Sequence, residues 1–89
     1  MKVEEAIRQF VSEHKGYHLI ENYSPEAMET ITCLGVHMDA EASYMEFFTE
    51  LTVFFDEKEV DDPEFLLEGA SVEAAGDGTV VFFPAITES

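Results

Sequence analysis

SYMEFFTELTVFF, residues 43–55, decides the fold, because two periodicities fit it. With alternating side chains, Met45, Phe47, Leu51, Val53 and Phe55 share one face of a strand. With a repeat of about 3.6 residues, Tyr44, Phe47, Phe48, Leu51, Phe54 and Phe55 form a helical stripe. The content of Thr, Val and Phe favours the strand. Upstream, TITCLGVHM, 30–38, reads as a strand with Leu34, Val36 and Met38 on one face, although Met28, Ile31, Leu34 and Gly35 also suit a helix. Joined through DAEA, 39–42, the two stretches form a hairpin.

Residues 3–14 predict an amphipathic helix. Val3, Ala6, Ile7, Phe10, Val11 and His14 recur at helical spacing, and Glu4 and Glu5 suit its positive end. Lys15 suits the negative end, and Gly16 is a stop. GYHLIENY, 16–23, reads as extended. Ser24-Pro25 is a cap followed by a proline at the first helical position, predicting a short helix over 25–29. Asp61-Asp62-Pro63-Glu64 starts another short helix by the same logic, ended by Gly69. ASVEAAGDGTVVFF, 70–83, is a second hairpin turning at Gly76-Asp77-Gly78, with Pro84 as its stop and a frayed tail beyond. The expectation is an α+β fold in one compact domain, 1–89. An antiparallel sheet of three to four strands, from two hairpins, packs against the N-terminal helix, with one or two short extra helices.

Charge is the outlying property. The chain has 20 Asp and Glu against 4 Lys and Arg, for a net charge of −16. Small domains usually carry a net charge of about 2–8 in magnitude. Such charge accompanies disorder when hydrophobicity is low, but 46% of these 89 residues are hydrophobic and 8 are Phe, so a core forms. Over a surface of roughly 5,000 Å² the charge averages about one per 300 Å². That is about threefold sparser than the surface of duplex DNA. A DNA-like density therefore requires clustering.

Two clusters stand out. Glu46 and Glu50 fall on the same side of a 43–55 strand, about 13 Å apart, with Phe48 between them as an apolar anchor. The alternative is that Phe48 and Phe54 pack beneath a neighbouring element. The second cluster is Asp56, Glu57, Glu59, Asp61, Asp62, Glu64 and Glu68, where alternate carboxylates of an extended chain lie about 6.6 Å apart, near the spacing of phosphates along a strand. These ten residues are the expected partner-binding surface.

Catalytic and metal chemistry find little support. His14 and His18 are separated by the helix-breaking Gly16, and Cys33 and His37 lie about 13 Å apart on a strand. The acidic run at 56–64 lacks the glycine and the spacing of a calcium loop. No catalytic residue, metal or cofactor is expected. One cysteine makes no disulfide framework, and the start MKVEEAIRQF lacks a signal-peptide core, so a cytoplasmic protein is expected (in a host cytoplasm if phage-encoded).

In size and charge, not in any motif, the chain resembles small phage-encoded inhibitors such as anti-CRISPR and anti-restriction proteins, and nuclease immunity proteins. That resemblance implies a nucleic-acid mimic that blocks the basic channel of a nuclease or other DNA- or RNA-handling protein. Its partner is then a basic protein, with no direct binding of nucleic acid or membrane. The alternatives are an acidic adaptor module and a halophile-type acidic domain. Against the last, the acids are 15 Glu and only 5 Asp, and the apolar residues are large. Val80 to Phe83, in the 70–83 hairpin, mark a sheet edge where a homodimer could form, or else a strand buried on both faces.

Overall fold

The computed structural model describes residues 1–28, 30–61 and 69–87. Helix α1 (Val3–Glu13) leads into strand β1 (Tyr17–Tyr23), and a single 3-10 turn (Glu26–Met28) precedes strand β2 (Cys33–Asp39). Helix α2 (Tyr44–Glu57) follows, and a hairpin of β3 (Ser71–Ala75) and β4 (Gly78–Thr87) completes the described chain. The sheet is antiparallel throughout, in the order β1-β2-β4-β3.

The expected α+β class and antiparallel sheet are present, but 43–55 is helical and not a strand. Phe47, Leu51 and Phe55, spaced by four, are buried at 0%, 0% and 2% exposure, while Met45 and Val53 stand open at 68% and 53%. A strand would have buried all five together. The helix won because it needs no partner strand for its own backbone, and because Ser43 and Glu46 have capping-box spacing. The Ser43 hydroxyl accepts the Glu46 N–H at 3.4 Å. The expected hairpin through DAEA is therefore absent, and β2 pairs instead with β1 and β4.

Both helices cover one side of the sheet. Val3, Ala6, Ile7, Phe10 and Val11 of α1 meet Phe47, Leu51 and Phe55 of α2 over Leu34, Val36, Met38, Val81 and Phe83. The other side of the sheet holds a smaller cluster of Cys33, Val80 and Phe82, with Tyr23 leaning across it. Gly35 permits that approach, since a Cβ there would sit 3.1 Å from the Tyr23 Cβ. The run Val80-Val81-Phe82-Phe83 is thus apolar because β4 is interior and buried on both faces. It is not a sheet edge, so the dimer contact expected there is unsupported; the outer strands are β1 and β3.

Two boundaries moved. Pro84 does not end β4, which continues to Thr87. Its missing N–H coincides with a break in register, from Leu34 opposite Phe83 to Cys33 opposite Thr87. The segment after Pro25 forms a 3-10 turn and no longer helix. The 70–83 hairpin turns where expected: Ala75 faces Gly78 around Gly76-Asp77, and Gly76 takes the positive φ of 62° that this tight turn demands. The helix expected from Asp62 lies outside the described residues.

The helical reading of α2 makes a mutational prediction. Phe47→Ala is expected to cost about 3–5 kcal/mol in urea unfolding, whereas Met45→Ala stays within about 0.5 kcal/mol. Equal losses at the two positions would restore the strand.

Candidate functional site

The acids of α2 are set by where its core face lies. With Phe47, Leu51 and Phe55 inward, Glu46, Glu50 and Glu57 fall along one exposed stripe and Asp56 beside it. Glu46 and Glu50 still share a side, as expected, but sit one helical turn apart, about 5–6 Å between Cβ atoms, and not 13 Å. The helix ends in a Schellman arrangement. The Val60 N–H donates to the Phe55 carbonyl at 3.1 Å and the Glu59 N–H to that of Asp56 at 3.4 Å. Glu59 takes a positive φ of 51°, where glycine is favoured, and Val60 is buried in the core. The backbone N–H of Asp61 then donates to the Met1 carbonyl at 3.1 Å.

The extended row of carboxylates expected over 56–68 is consequently not what forms at its start. Asp56 and Glu57 are helical, Glu59 lies in the tight turn and Asp61 follows it, and all four are exposed. They continue the surface of Glu46 and Glu50 around the helix end. Asp62, Glu64 and Glu68 lie outside the described residues. Among the remaining basic residues, Arg8 is held on α1 between Glu4, at 3.0 Å, and Glu21, and Lys58 lies 5.6 Å over the Phe54 ring.

Phe48 is not an outward anchor. It is half-buried against the main core, 5.7 Å from Phe47 in an edge contact, and Phe54 is likewise half-buried, 5.5 Å from Phe10. Packing under the fold, the alternative considered for these two rings, is what occurs. Where α1 meets α2, the His14 ring stacks on Phe10 with centroids 4.0 Å apart. Its Nδ1 lies 2.7 Å from the Phe10 carbonyl and so donates to it, leaving Nε2 toward Glu50 at 3.9 Å. Burial, and then the charges of Glu50 and Glu46, push the Tyr17 hydroxyl above its ordinary pKa.

One acid has a structural task that its sequence position did not reveal. Glu73 on β3 accepts the Tyr23 hydroxyl at 2.6 Å and the N–H groups of Glu26 and Ala27 at 3.2 and 3.0 Å. It clips the segment after β1 to the far edge of the sheet. The Tyr23 hydrogen bond foremost, then the Ala27 N–H, hold its carboxyl below the usual range. Burial, then the Glu73 hydrogen bond, push the Tyr23 phenol well upward.

Of the candidate metal ligands, one pair comes together. His18 and His37 are cross-strand partners with ring centroids 6.3 Å apart, while His14 belongs to the helix junction. Cys33 shares the His37 face of the sheet, is fully buried, and burial raises its thiol pKa, which suits packing and not nucleophilic work. Among the described residues, no three His, Cys, Asp or Glu side chains gather as a ligand set, and no helix is long and apolar enough to cross a membrane. Comparison with protein-family models, curated proteins and solved structures finds no match.

The Glu73 clip has a definite pH signature. A carboxyl with a depressed folded pKa adds stability above its unfolded pKa, about 4.3, and that stability is lost as pH falls through the folded value. Glu73→Gln is therefore expected to be less stable than the parent at pH 7, with the gap closing below about pH 4. Parallel urea titrations at both pH values check this, and a gap independent of pH would contradict it.

Proposed function

We propose that this protein is an acidic binding protein that occupies the nucleic-acid channel of a basic DNA- or RNA-handling protein and blocks its substrate. The observation that carries this reading is the exposed set Glu46, Glu50, Asp56, Glu57, Glu59 and Asp61 on and after one helix, with Lys58 as the one cation among them. Spread evenly, −16 over 5541 Å² of accessible surface gives about one net charge per 350 Å², whereas Glu46 and Glu50 stand one helical turn apart, about 5–6 Å between Cβ atoms. A rigid helix supports the reading better than a loose chain, because its carboxylates are held in place before the partner arrives.

The mode of action is steric competition. A field of this sign speeds encounter with a basic channel and repels nucleic acid and anionic membrane. The fully buried Cys33, its thiol pushed up by burial, fits packing better than nucleophilic work. The inhibitor classes that share this size and charge (anti-CRISPR, anti-restriction and nuclease-immunity proteins) are the proposed setting, in the cytoplasm of the cell in which the target works.

The immobilised protein is expected to retain basic nucleases or nucleic-acid-binding proteins from lysate, and added duplex DNA or RNA should displace them. Against a partner so identified, Glu46→Gln, Glu50→Gln and Glu57→Gln combined should slow association about tenfold at low salt, with less effect on dissociation. Recovery only of partners indifferent to competing nucleic acid would overturn the proposal and favour the adaptor.

A further inference from the structure

The outward side of α2 carries more than charge. Five large apolar side chains are exposed among the described residues, and three of them stand on this one helix, Tyr44 at its first turn and Met45 and Val53 on its outward side. Between Met45 and Val53 lie the exposed Thr49 and Thr52. Their hydroxyls donate back to the carbonyls of Met45 at 2.9 Å and Phe48 at 2.8 Å, so each hydroxyl proton is committed within the helix and the methyl adds apolar surface for a partner. At about 100° per residue, Met45, Thr49, Thr52 and Val53 fill a sector roughly 100° wide, opposite Phe47, Leu51 and Phe55. Glu46, Glu50 and Glu57 border it along one side, and Asp56 lies toward its C-terminal end.

This ridge works against the helix that bears it. Thr and Val are poorer helix formers than Glu, Lys or Gln by up to about 0.7 kcal/mol each. A chain with 20 acids has polar residues to spare for a solvated face. The β-branched residues that favoured a strand reading of 43–55 are the ones turned to solvent, so tertiary packing does not explain them.

We propose that α2 docks against a basic amphipathic helix of the partner protein. Met45, Thr49, Thr52 and Val53 meet its apolar strip, and Glu46, Glu50 and Glu57 meet Lys or Arg along one border of that strip. This rests on the reading of a basic partner and specifies how that partner is held. A second copy of this chain is the wrong occupant: at −16 per molecule the copies repel, and the ridge carries no cation to face the partner copy's glutamates. An anionic lipid surface is repelled for the same reason.

The probes are two synthetic helices of Lys and Leu with identical composition, one with Leu confined to one face and one scrambled to break that face. Binding is followed on the isotope-labelled full chain at about 0.15 M salt. The amphipathic probe is expected to bind about tenfold tighter than the scrambled one, with the largest amide shifts at Met45, Thr49, Thr52 and Val53. Met45→Ser with Val53→Ser should abolish that preference while leaving the circular dichroism of the free protein unchanged. Equal affinity for the two probes, or shifts centred on α1 or β3, overturns the docking proposal. If Glu46→Gln, Glu50→Gln and Glu57→Gln then weaken both probes alike, the charge reading stands without the ridge. If they weaken neither, both readings fall.

Discussion

Burial of Phe47, Leu51 and Phe55 against Phe10 and the sheet is the contact on which the rest of the structure depends. Phe10 meets Phe47 at 5.6 Å and Phe54 at 5.5 Å, both edge-on, so α1 and α2 lock through rings that fill more volume than aliphatic residues could. Once that face is committed, every other position on α2 has its direction assigned. Glu46, Glu50 and Glu57 go outward together, and Met45 and Val53 are left without cover. The surface is a consequence of the core.

The charge is compatible with folding because the two are separated. Among the described residues no polar or charged side chain is buried, and the core is aliphatic and aromatic throughout. Self-repulsion then acts across solvent, where salt screens it. Glu73 is the exception in purpose: its carboxylate serves the fold by gathering the phenol of Tyr23 and two backbone N–H groups. Glu4 and Glu21 are likewise engaged, by Arg8. The acids of α2 and the turn after it have fewer such duties, which is why the proposed partner surface is placed on them.

Much of the fold was legible because local chemistry and global packing agree there. The α1 stripe follows one periodicity without a competitor and the Gly76-Asp77 turn carries its own glycine signal, while for Leu34, Val36 and Met38 the strand face prevailed over the helical spacing of Met28, Ile31, Leu34 and Gly35. Residues 43–55 carry both periods, and β-branched residues tipped the reading toward strand although they serve the surface. Length and the Ser43–Glu46 capping spacing were the signals that favoured a helix. That single error displaced others: the DAEA hairpin vanished and Phe48 turned inward. The common side of Glu46 and Glu50 survived, because four residues is two strand repeats and also close to one helical turn. The Glu73 clip was illegible, since it joins residues 46 to 50 positions apart in the chain.

The central claim is that residues 44–57 form a helix with one face in the core and the other open to solvent. Backbone and side-chain NMR of the free protein tests it most directly. The account predicts unbroken positive Cα secondary shifts from Tyr44 through Glu57, with ring contacts from Phe10 to Phe47 and Phe54 and none from Phe10 to Met45 or Val53. Negative shifts across these residues, with cross-strand contacts to 33–39, would contradict it.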